Sequence, residues 1–218
     1  MASASIPLKS STLLTGLMII LVIEGLMRWV YPKVDLPALT VLGIGRLLQT
    51  VGLLWAVMRL QGGLDAIGVS PHTWRKGLLQ GALWSAGFAV AGGLAMLLIY
   101  IAGESPTALL RSPLPSRTSD LILFFVVGGF FAPVAEEICF RGILYTYFRR
   151  WGILPALVGS TALFVLLHSV HGLPVTQIVG GVVFAAAFET SRNLMVPITI
   201  HILGNLALFS LSLPMLQG

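Results

Sequence analysis

The chain has 218 residues, 56% of them hydrophobic and 10% charged, with a mean hydropathy of +0.94. Soluble domains carry roughly 25% charged residues, so this composition excludes a soluble globular protein and predicts an all-α polytopic membrane protein. The net charge of +5 comes without an aromatic-interleaved basic patch, so no nucleic-acid partner is expected, and a single cysteine, Cys139, excludes an internal disulfide framework.

Seven apolar stretches of about 20 residues, the length that crosses the hydrocarbon layer, follow in order. The first is Thr12–Val30; no short apolar core followed by a small-residue cleavage site precedes it, so it is expected to be retained. Within it Glu24 and Arg28 are four apart and predict a local pair. The second, Leu39–Leu60, contains Arg46, for which the sequence offers no partner. Ser70-Pro71 reads as the N-cap and first turn of the third, Gly77–Ile101, with Trp74-Arg75-Lys76 as an interfacial anchor. The fourth is Leu121–Phe148. Leu154–Val170 and Val175–Glu189 are short and predict a tight helical hairpin, with His171 interfacial at a helix end; Leu194–Leu213 is the last. The glycine pairs Gly128-Gly129 and Gly180-Gly181 predict close helix packing. No internal repeat is visible, so the seven helices are expected to form one bundle, a single membrane domain over 1–218.

Lysine and arginine counts predict the orientation. Lys9, Arg59, Arg75, Lys76, Arg149, Arg150 and Arg192 fall on the N-terminal side, against Lys33, Arg111 and Arg117 on the other. The excess places the N-terminus in the cytoplasm.

The fourth stretch carries the chemistry. Glu136 and Glu137 stand side by side after a charge-free run from Leu121 to Ala135, and Arg141 follows four residues after Glu137. An acid inside a membrane span is costly and marks a candidate functional site. Glu137 and Arg141 lie one helical turn apart in the favourable order, whereas Glu136 is rotated about 100° away and has no local cation. Cys139 reads as a small packing residue. Two later motifs place polar groups on one helical face each: Phe164 with His168, and His201 with Asn205. At about 1.5 Å per residue, Glu136 and His201 come out nearer the cytoplasmic side and His168 further across. The fifth helix is therefore expected to tilt or to start deeper.

E-E-I-C-F-R, F-V-L-L-H and H-I-L-G-N, in this order on late helices, resemble the three motifs of the CPBP family. That family includes CAAX prenyl proteases of the Rce type, bacteriocin-processing and self-immunity proteins, and bacterial myxosortase-like sorting proteases. The resemblance implies a CPBP-type catalytic core over 119–213, with 1–110 as generic N-terminal helices. It implies a metal-independent glutamate endopeptidase: Glu136 as general base, His168 holding the water, His201 and Asn205 as oxyanion donors, and Glu137, Arg141 and Phe164 as supports. The implied partners are the bilayer and a protein or peptide substrate with a membrane-associated segment; the small size and lack of added domains lead to the expectation of a bacterial inner membrane. A small chain points to a peptide precursor or C-terminal sorting tail, the latter the substrate of the myxosortase-like branch; a prenylated tail is the eukaryotic-type substrate.

Two other readings use the same residues. Glu136, His168 and His201 make a two-histidine, one-carboxylate set that could bind Zn²⁺ with an open position for water, although no H-E-x-x-H is present. A non-catalytic immunity or transport-type protein could also be built around buried acids.

Overall fold

The computed structural model describes residues 7–105, 112–168 and 174–213; His171 and Arg111 lie outside the described residues. The described residues form seven apolar helices: α1 (Ser10–Val30), α2 (Ala38–Gln61), α3 (Trp74–Ile101), α4 (Thr118–Trp151), α5 (Ile153–Leu166), α6 (Val175–Ser191) and α7 (Met195–Ser212). Five, α1 to α4 and α7, are long and apolar enough to cross a membrane, while α5 and α6 are shorter. The chain is a multi-pass helical membrane protein. Large apolar side chains cover its outer faces, among them Leu14, Met18 and Leu21 on α1 and Leu94, Leu97 and Leu98 on α3. Such faces need hydrocarbon rather than water around them.

Helix α4 is the axis of the bundle. It packs against α1, α2, α5, α6 and α7, and its residues Ile138 to Tyr145 are all buried. It is not a uniform helix. Val127–Phe131 and Ile138–Tyr145 are π-helical and bracket the α-helical turn Ala132–Glu137 that carries both acids. Pro133 explains the first interruption, because proline has no N–H and its ring clashes with the preceding turn. In the second, the Thr146 hydroxyl donates to the Arg141 carbonyl five residues earlier, at 3.2 Å.

Small residues set the helix spacings. A Cβ added to Gly129 would meet Leu206 of α7 at 2.7 Å, and one on Gly181 would meet Thr161 of α5 at 2.6 Å. Both predicted glycine pairs therefore contain a true close-packing position. At the end of α4, Glu189 of α6 accepts hydrogen bonds from Tyr145, Arg149 and Arg192. This clamp ties α4 to α6 beside the turn into α5.

Three local expectations are corrected. Glu24 does not pair with Arg28: its Oε1 accepts Arg46 Nη1 at 3.1 Å and Gln49 Nε2 at 3.0 Å across the α1–α2 contact. Arg28 sits exposed in the last turn of α1, where a long cation reaches the interface unaided, whereas Arg46 in mid-helix needs an acid. Ser70-Pro71 does not cap α3. It opens a turn closed by Thr73 N–H to Ser70 C=O at 3.2 Å, and the helix starts at Trp74 with Thr73 at its N-cap. The depth mismatch of His168 also disappears. α4 runs three residues beyond Phe148 and reverses at Gly152, which adopts φ 120°. Glu136 and His168 then stand sixteen residues before and after that glycine, and antiparallel helices bring them level.

Candidate active site

The turn Ala132–Glu137 presents its two acids to different neighbours, as residues about 100° apart on a helix must. Glu137 and Arg141 are fully buried and joined at 2.9 Å. The guanidinium also donates to the Gly181 carbonyl at 3.2 Å and lies 4.8 Å from the Phe164 ring centre and 5.1 Å from that of Phe184. With Phe140 at 5.8 Å as well, a charge held this way in low dielectric has its partner, a further acceptor and three aromatic rings. Glu137 has a second task that the sequence did not disclose: the same Oε1 receives His201 Nδ1 at 2.7 Å. Its Oε2 is buried without a hydrogen-bond partner among the described residues.

Glu136 faces the other way, toward both histidines. Its Oε2 is 3.6 Å from His168 Nε2 and 3.8 Å from His201 Nε2. The three residues that the sequence placed on separate helices therefore converge on one carboxylate oxygen.

Each imidazole is fixed from behind. His168 Nδ1 lies 2.7 Å from the Phe164 carbonyl and His201 Nδ1 lies 2.7 Å from Glu137. A carbonyl or an ionised carboxylate only accepts, so both Nδ1 atoms carry the hydrogen. In its neutral form each ring then turns a bare Nε2 lone pair toward Glu136. Separations of 3.6 and 3.8 Å exceed a direct hydrogen bond and suit a small molecule bridging all three groups.

Aromatic rings lock the imidazoles. Phe164 tilts against His168 with centroids 4.3 Å apart, and Phe184 stacks on His201 at 4.6 Å and 22°. Phe164 is therefore a support by both ring and carbonyl. Phe184 and Gly181 were not legible as site residues. Gly181 shows in the sequence only as half of a glycine pair, and nothing in the pattern marks Phe184, three residues on. Cys139 is buried within the same core.

Asn205 lies on the same helix as His201, one turn further. Its Nδ2 donates to the Gly128 carbonyl of α4 at 2.9 Å, and its other N–H has no partner among the described residues. Among those residues no group of three His, Cys, Asp or Glu is placed to hold a metal ion.

Residues 118–207 match the model of the family described as type II CAAX prenyl endopeptidase Rce1-like. No curated protein and no solved structure matches the chain.

Proposed function

We propose that this chain, which carries an Rce1-like protease domain of the CPBP type over residues 118–207, hydrolyses a peptide bond in a membrane-associated substrate with a water activated by Glu136. The observation that carries the reading is the convergence of two anchored imidazoles on Glu136 Oε2, at 3.6 and 3.8 Å. A water in that triangle donates one hydrogen bond to the carboxylate and another to a histidine Nε2. Glu136 takes its proton as the oxygen attacks the scissile carbonyl carbon. The tetrahedral intermediate collapses when the C–N bond breaks and Glu136 returns the proton to the leaving amine.

The oxyanion needs donors rather than lone pairs. Asn205 offers the N–H not given to Gly128. His201 donates from Nε2 only as an imidazolium, and the Glu137 carboxylate that accepts its Nδ1–H fixes the direction in which Nε2 points. Arg141 in turn keeps Glu137 in place. The second acid thus supports the chemistry through His201, and the first performs it.

The family match supports an S-prenylated C-terminal tail as substrate. The matched model carries nothing specific to a sorting tail, to a peptide precursor or to the myxosortase-like branch. The lysine and arginine distribution supports a cytoplasmic N-terminus. The reading is tested by incubating purified protein with fluorogenic peptides of the three kinds. Cleavage of one of them by the wild type, and loss of at least about 1,000-fold in turnover in Glu136→Gln, are expected. Full activity of Glu136→Gln overturns it, because an amide keeps the shape and cannot accept the proton.

A further inference from the structure

We infer that Asn205 is a positioning residue, which through the Gly128 carbonyl locks a bulge in α4 that sets the direction of Glu136. The inference rests on the reading of Glu136 as the base and concerns how that base is held.

The argument begins with a carbonyl that its own helix cannot satisfy. In the π-helical segment Val127–Phe131 the Ala132 N–H bonds to Val127 C=O, five residues back. In a regular α-helix that N–H would have served Gly128. The next donor in the π pattern is residue 133, a proline with no N–H. Gly128 C=O is thus bypassed by one neighbour and unserved by the other. A backbone acceptor left bare at this depth is costly, because hydrocarbon supplies no donor. Asn205 Nδ2 reaches it from α7 at 2.9 Å.

Glycines allow that reach. A Cβ on Gly129 would meet Leu206 at 2.7 Å, and one on Gly128 would stand 3.4 Å from the Phe209 ring. The axes of α4 and α7 come close enough for a short amide side chain to bridge them because Gly129 lacks a side chain, while Gly128 lies in ordinary contact with the Phe209 ring.

The bulge matters for direction. A π-turn inserts one residue into the helix, and one residue corresponds to about 100° of rotation. Were the segment to relax to regular α-helix, Glu136 would swing by about that angle relative to Val127, which packs on α2 at Gly43. It would then leave the faces of His168 and His201. Asn205 stands one turn from His201 on the same helix, so the lock and one of the imidazoles it aligns move as one body.

The test is a double-mutant cycle with Pro133→Ala, which gives residue 133 an N–H that can serve Gly128 from within the helix. Thermal unfolding and steady-state cleavage are measured in one detergent for wild type, Asn205→Ala, Pro133→Ala and the double variant. Asn205→Ala is expected to lower Tm by about 3–6 °C and turnover about 100-fold, with KM changed less than about threefold. In the Pro133→Ala background, more than half of the Tm loss and at least about tenfold of turnover should return. Losses that simply add in the double variant overturn the lock and leave Asn205 as an oxyanion donor alone, as does a wild-type Tm in Asn205→Ala. Should Asn205→Ala fail to fold, a folded double variant supports the lock and an unfolded one overturns it. The Tm cycle needs no substrate, so it stands apart from the Glu136→Gln test of the protease reading.

Discussion

At the residue scale the site is a division of labour between adjacent acids. Among the described residues Glu136 has no Lys or Arg partner and faces two Nε2 atoms, whereas Glu137 is bound by Arg141 and by His201. Removing the His168 imidazole should therefore abolish cleavage while leaving the fold intact, since among the described residues His168 is hydrogen-bonded only within its own helix, at Phe164. His168→Ala is expected to melt within about 2 °C of wild type and to lose at least about 1,000-fold in turnover; an active variant removes His168 from the mechanism. Phe184→Ala should act differently. It leaves every hydrogen bond of His201 in place and takes away the ring stacked on it at 4.6 Å, so turnover should fall by about tenfold with partial loss of stability.

At the element scale the composite helix α4 decides the outcome. Its two π-helical segments frame the turn that carries both acids, and the buried pair Glu137–Arg141 couples it to α6 through the Gly181 carbonyl. Arg141→Ala strands the Glu137 carboxylate in the core and should cost about 3–5 kcal/mol, read as a lower Tm together with lost activity. An Arg141→Ala protein that melts like wild type but does not cleave would place the guanidinium in the chemistry instead. Gly181→Ala tests the same junction sterically. Its Cβ would lie 2.6 Å from Thr161, so α5 and α6 must separate, carrying Phe164 and His168 away from Phe184 and His201. Lower stability and lower turnover are expected together, with partial recovery in Gly181→Ala/Thr161→Ser, which removes the clashing methyl.

For the whole molecule, the chemistry to test is metal dependence. Water on a catalytic Zn²⁺ is acidified to about pH 7 by the ion, and the two Nε2 lone pairs beside Glu136 are what such an ion would take. We propose that the carboxylate works alone. Purified protein should contain substoichiometric metal and keep its activity after strong chelators; stoichiometric zinc whose removal and return switches cleavage off and on would make the histidines ligands. Orientation has its own measurement. In a Cys139→Ala background, a cysteine in place of Arg75 should be labelled from the cytoplasmic side and one in place of Lys33 from the opposite side.

The sequence by itself determined the class of molecule and picked out the polar groups that meet in the candidate site. Hydropathy fixes which stretches leave water, because burial of apolar surface depends on composition and length and hardly on partners. Glu136, His168 and His201 were legible because polar groups inside such stretches are rare and costly. What only the tertiary structure decided are the contacts between helices. Arg46 found Glu24 across the α1–α2 contact, Glu137 found His201 on α7, and Asn205 found a carbonyl that Pro133 had left unserved. Side-chain spacing along one helix reports its faces but not which neighbour each face meets, nor where a bulge shifts the phase. Those follow from the mutual packing of α4 with five other helices, where glycines without Cβ atoms set the distances at which polar groups can reach one another.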